Sequence, residues 1–206
     1  GCQMTLFFIA DHSAGDIDGV YTLDEPVIKS LMARALTGGH EIGLHPSYGT
    51  FCDPVQMHKE RELLTNALRQ MNCDSEVLEC RQHFLRWSVR ETASHQVEAG
   101  LSIDSTLGYA DAAGFRAGVC YEYDMYDLQH RTRIELRQRP LIAMEVSLFG
   151  TDYMNVQNHE AALDILLRLK HNCLHFNGDF RMLWHNNMLR TQADRAVYTR
   201  VISGRE

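Results

Sequence analysis

The sequence predicts an α/β fold on three observations. Short β-rich apolar runs recur along the chain, amphipathic helical segments separate them, and polar side chains suited to chemistry stand where the runs end. Strands that alternate with helices pair in parallel through right-handed crossovers. With 206 residues, 45% hydrophobic and 23% charged, the chain is long enough for one domain spanning 1–206, and a second domain is not expected.

Each element has its own local reason. Met4 to Ala10 is the first β-rich run. A helix is expected from Glu25 to Leu36, where Val27, Leu31 and Ala35 share a stripe, Asp24 is the cap, Pro26 sits in the first turn and Gly38-Gly39 stops it. The next run, Gly39-His40-Glu41-Ile42-Gly43-Leu44-His45-Pro46-Ser47, is a short strand giving way to a loop at His45. Asp53-Pro54 opens a helix carrying Leu63, Leu64, Leu68 and Met71, which ends at Asn72. Val77 to Cys80 and Leu101 to Ile103 are strands, with a helix from Ser88 to Ala99 closed by Gly100 between them. Leu141 to Val146 and Arg181 to Trp184 are further strands, and Asn158 to Asn172 and Thr191 to Ile202 are helices. This order suits an open Rossmann-like sheet or a barrel, and periodicity does not choose between them. No Gly-rich phosphate loop follows the first strand, where Asp11-His12-Ser13 stands, so a nucleotide fold is the weaker reading.

Composition removes several function classes. A formal net charge of -7 argues against a nucleic-acid partner, because phosphate binding depends on clustered Lys and Arg. Arg131, Arg133, Arg137 and Arg139 form the one basic stretch, but Glu135 interrupts it and alternation on a strand edge accounts for it. Six cysteines without CxxC pairs read as mostly buried free thiols rather than a disulfide scaffold. No apolar run of about 18 residues is present to span a bilayer.

His45 is the first residue with chemical promise, since an imidazole at the end of a strand projects from a rigid element. His40 lies five residues earlier; a helix would turn the two rings about 140° apart and a strand would point them to opposite faces, so only one can serve a site. Arg81 and His83 are separated only by Gln82, and alternation puts both on one face.

Four segments together resemble the polysaccharide deacetylase (NodB-homology) superfamily, in a divergent branch whose histidine motif reads His-Pro-Ser-Tyr. Gly39 to Ser47 is similar to its histidine motif, and Cys80-Arg81-Gln82-His83-Phe84-Leu85-Arg86 to its arginine motif. Asp104 to Tyr109, followed by Gly114 to Gly118, resembles its fourth region, and Leu183-Trp184-His185-Asn186 its last motif. The resemblance covers roughly residues 4 to 200 and implies a distorted (β/α) barrel. Two departures stand out. The paired aspartates of the family's first motif would precede Met4, so the chain reads as an N-terminally truncated domain lacking its first strand, and the position of a second metal histidine is held by Gly49. A truncated start would also hide any signal peptide.

The chemistry implied by the resemblance is removal of an acetyl group from a polysaccharide or glycan precursor, assisted by a divalent metal, with zinc the expected ion. His45 is then the metal ligand, with His83 as its possible partner. His185 matches the family's general acid, Arg81 the arginine that orients a carboxylate base, and Asp104 is the nearest matched carboxylate. Phe84 stands where a backbone N–H helps hold the oxyanion, a role blind to side-chain type. With the paired aspartates missing, the chain is expected to bind metal weakly and to turn over little. The alternative is a degenerate glycan-binding or structural domain of the same fold. His171 and His175 suit a helix C-terminus, and Asp124, Asp127 and Asp152 with Tyr121, Tyr123, Tyr126 and Tyr153 suit either a sugar-binding rim or ordinary loops.

Overall fold

The computed structural model describes residues 2–73 and 76–204. It is a mixed α/β fold with a mostly parallel central sheet, as the alternation predicts, and six α-helices among the described residues. No closed barrel is detected among those residues. The chain divides into two compact units, the first formed by residues 3–106 and 123–138 and the second by 107–122 and 139–204.

The first unit is built on β1 (Thr5–Phe8), α1 (Pro26–Thr37), β2 (Glu41–Leu44), α2 (Pro54–Gln70), β3 (Glu79–Cys80), α3 (Thr92–Glu98), β4 (Ile103–Asp104), β5 (Tyr123–Asp127) and β6 (Thr132–Gln138). Its sheet order is β1-β2-β3-β4-β6-β5, parallel throughout except for the β5–β6 pair. The register aligns Phe8, Leu44, Cys80, Asp104 and Gln138 in one row across five strands. Residues just past that row, among them His45, Arg81 and Ser105, therefore leave the sheet at a common level.

Local chemistry explains most boundaries. Asp53 caps α2 by accepting from the Gln56 N–H, and Asn72 and Gly100 take the left-handed conformation after α2 and α3. Asp24 does not cap α1 as expected; Glu25 holds the N-cap position without a side-chain cap bond, and Asp24 pairs with Lys29 instead. Gly43 serves a close approach, because a Cβ there would meet the Phe7 ring at 2.6 Å. That ring in turn lies under the Arg81 guanidinium, 4.5 Å from its centroid. The core beneath the sheet gathers Met32, Leu44, Met57, Leu64 and Leu68, all almost fully buried. Leu64→Ala is expected to cost about 2–5 kcal/mol of stability, measured by urea unfolding.

The β5–β6 hairpin went unread as a hairpin. Polar residues at alternate positions of β5 conceal the strand, whose exposed members include Asp124 and Tyr126. Asp127, expected in a loop, ends β5 and accepts from the Gln129 and His130 N–H groups to close the turn. The arginine stretch is likewise corrected, since β6 lies between β4 and β5 and the edge strand is β5.

The second unit carries β7 (Ala143–Met144), α4 (Glu145–Phe149), α5 (His159–His175), β8 (Met182–Leu183) and α6 (Gln192–Ser203). The run expected as a strand from Leu141 to Val146 is strand only at Ala143–Met144, because Glu145 opens α4. Strands β7 and β8 pair in parallel, Met144 opposite Leu183. Asn158 and Thr191 cap α5 and α6, the latter in a reciprocal capping box with Asp194. Leu148, Leu163, Leu166, Val197 and Val201 form this unit's core.

Candidate functional site

In the first unit the site is assembled at the C-terminal ends of β2 and β3. His45 follows β2 directly and its N–H donates to the Phe8 carbonyl at 2.8 Å. Its Nδ1 lies 2.5 Å from the Arg81 carbonyl oxygen. A carbonyl only accepts, so Nδ1 carries the proton and Nε2 is the lone-pair nitrogen.

His83 is governed the same way by a carboxylate. Its Nδ1 lies 2.9 Å from Oδ1 of Asp18, whose side chain is fully buried. Burial pushes the Asp18 carboxyl up, but bonds donated by the Tyr48 and Ala14 N–H groups and by His83 outweigh it and hold it below the ordinary value. The ionised carboxylate accepts from Nδ1–H, so the neutral ring again has its lone pair on Nε2. The two rings are neighbours, with centroids 4.9 Å apart and planes at 60°. A histidine whose Nδ1–H is committed to a carbonyl or a carboxylate is the arrangement that outer partners impose on metal-binding histidines.

Asp18 was not singled out in the sequence. It ends a 3-10 turn, Gly15–Asp18, in the loop after β1, and only the fold brings it 65 positions along to His83. Its bonds make a stability prediction. A carboxyl held below its ordinary 3.8 contributes stability that is present above that value and lost as pH falls through the folded value. Asp18→Asn is therefore expected to cost about 1.5–3 kcal/mol at neutral pH, with the gap to wild type narrowing on acidification. Urea unfolding of both proteins at neutral and acidic pH measures it.

The loop that carries His45 onward is pinned from α2. Glu60 is fully buried and accepts from the Ser47 N–H at 2.8 Å, the Ser47 hydroxyl, Thr50 Oγ1 at 3.1 Å and Gln56 Nε2 at 2.8 Å. Burial pushes its carboxyl up despite those bonds. Glu60 is also invisible to sequence reasoning, being one charged residue on a helix that carries several.

Arg81 continues the row across the sheet. Its N–H donates to the Leu44 carbonyl and its Nε to the Ser105 carbonyl, each at 3.0 Å. Asp104 is fully buried, and its carboxylate accepts from the Thr106 N–H at 2.7 Å, Thr106 Oγ1 at 2.6 Å and Gln96 Nε2 at 2.8 Å. Burial pushes this carboxyl up too. Those bonds tie Asp104 to the loop after β4.

Phe84 and Leu85 both adopt positive φ, 57° and 52°, in the turn that follows β3. Left-handed backbone costs an L residue roughly 1–2 kcal/mol, so two in succession mark a turn held by its surroundings. The Phe84 N–H has no hydrogen-bond acceptor among the described residues.

In the second unit, His185 stands two residues beyond β8 and Glu145 one residue beyond β7. Parallel pairing brings both out at the same end, and His185 Nδ1 lies 2.5 Å from Glu145 Oε1. The Glu145 side chain is fully buried whereas that of His185 is 42% exposed. The carboxylate therefore fixes one ring nitrogen and leaves the ring facing solvent. Glu145 Oε2 is buried without a hydrogen-bond partner among the described residues, and Oε1 holds the histidine. Trp184 packs edge-on against Phe149 and Tyr198 and fixes the strand end. His171 and His175 stack at the end of α5.

No group of three or more His, Cys, Asp or Glu side chains placed to hold a metal ion is found among the described residues. No helix there is long and apolar enough to cross a membrane. The sequence matches no family model and no curated protein.

Proposed function

We propose that the chain is a metal-dependent deacetylase-like domain that removes acetyl groups from a polysaccharide or glycan precursor, on a fold of the distorted (β/α) barrel type. The observation that carries this reading is the His45–His83 pair, each Nδ1 set against a fixed acceptor and each ring presenting Nε2 as its lone-pair nitrogen. That donor set fits a divalent metal such as zinc to the extent of two nitrogen ligands. A bound metal would acidify a water and polarise the acetyl carbonyl. Deprotonating that water takes a general base, and the matched candidate, Asp104, is buried and bonded; the other tasks fall to the chain's own groups. The Arg81 carbonyl and Asp18 orient the two histidines, and the Phe84 N–H donates toward a developing oxyanion. In the second unit, the Glu145–His185 dyad has the form of a general acid, one ring nitrogen held by the carboxylate and the other free to give up a proton.

A second reading, a glycan-binding domain without catalysis, is favoured by one observation. The matched carboxylate, Asp104, is buried and fully bonded, and so is not presented to a substrate. Acetate release and oligomer binding separate the two. The protein, supplied with zinc, is expected to release acetate from acetylated glucosamine oligomers; binding without release would establish the second reading, and neither would reject both.

Asp18→Asn leaves His83 in place but removes its charged partner. Zinc affinity of the chain is expected to fall roughly 10-fold to 100-fold, the usual loss for an outer-shell partner, as read by calorimetric titration.

A further inference from the structure

The side chain of Phe84 has no role in the scheme above, yet the structure spends effort on presenting it. Its ring is 65% exposed although it sits among aromatic neighbours. The turn beneath it is held from several sides. The His83 N–H donates to the Pro46 carbonyl, and Arg86 Nη1 donates to the Tyr48 carbonyl at 2.7 Å. The Arg86 guanidinium also lies over the rings of Tyr48 and Phe51, 4.0 Å and 3.9 Å from their centroids. Tyr48 meets Phe84 edge-on at 5.4 Å, and the His83 ring is 4.7 Å from it. A flexible surface phenylalanine would fold back onto the protein to bury its apolar area. This one is kept out by a left-handed backbone and a clamped turn, beside the two histidines.

We infer that the Phe84 ring is a stacking platform for a sugar ring of the glycan, set one residue from His83 so that a pyranose resting on it brings its acetyl group towards the histidine pair. The inference rests on the glycan reading given above. A pyranose presents an apolar face of C–H groups, and the largely exposed Phe84 offers aromatic surface to it. The backbone and the side chain of one residue then serve different ends: the N–H faces the reacting group and the ring holds the sugar.

The test compares wild type with Phe84→Leu and Phe84→Trp. Both variants retain the backbone N–H, and leucine keeps the apolar character while removing the aromatic face. The probe is a series of acetylated glucosamine oligomers, titrated by calorimetry and assayed for acetate release by the protein with zinc supplied. Phe84→Leu is expected to weaken binding and raise KM roughly threefold to tenfold, and Phe84→Trp to recover the lost affinity. Thermal melts establish that both variants fold. Unchanged affinity and KM in Phe84→Leu would overturn the inference while leaving the function standing. A loss in kcat shared equally by both variants would also overturn it, since that pattern belongs to a structural role. If wild type neither binds nor deacetylates any oligomer, the glycan reading and the platform fall together, and Phe84 belongs to a different interaction.

Discussion

His185→Ala is expected to lower turnover of acetylated glucosamine oligomers by roughly 10²-fold to 10⁴-fold, the range for loss of a general acid. The loss should lie in kcat, because a group that gives its proton to the leaving amine acts in the transition state and contributes little to ground-state binding. Glu145 gives the prediction its detail. A fully buried carboxylate 2.5 Å from Nδ1 orients the ring, so Glu145→Gln, which keeps an accepting oxygen but not the charge, should reduce kcat by less than His185→Ala does. Acetate release by the variants measures both, and unchanged kcat in His185→Ala would reject the residue as the acid.

The second large effect is on metal binding. His45→Ala removes one of the two proposed nitrogen ligands, and the loss in zinc affinity should exceed the roughly 10-fold to 100-fold expected of an outer partner such as Asp18. His83→Ala should act similarly, and the double variant should show no specific binding. The wild-type chain itself is expected to bind weakly, since catalytic zinc takes three protein ligands and two are identified. A tight one-to-one site that survives His45→Ala would show that other ligands hold the ion.

Much of the fold was readable because its signals are local. Asp53 before Pro54, Asn72 at the left-handed end of α2 and Gly100 at the end of α3 each act within one turn of chain, and each stands where the sequence places it. The hairpin was not readable as such, because β5 mixes aspartates and tyrosines around a single Met125 and its pairing with β6 lies outside any short window. Glu145 was assigned to a strand for a related reason. An apolar run that ends in a buried carboxylate looks continuous until the partner, His185, is known, 40 positions away.

The site divides in the same manner. His45, Arg81 and Asp104 are placed by strand ends, and the register sets them along one edge of the first unit's sheet. Their chemistry is set by contacts that no spacing encodes. Asp104 looks like an available carboxylate in the sequence and is a bonded core residue in the fold. Asp18 shows the opposite case, an ordinary loop aspartate that becomes the partner of His83. The unusual backbone of Phe84 and Leu85 has no sequence signal at all, since neither is a residue type that favours positive φ.

The most direct measurement of the central claim is acetate release by the protein after metal removal and zinc addition, with wild type beside His45→Ala. The account predicts that wild type loses activity to a chelator and regains it with zinc, and that His45→Ala regains none. Acetate release that persists through chelation, or that His45→Ala shares equally with wild type, would contradict it.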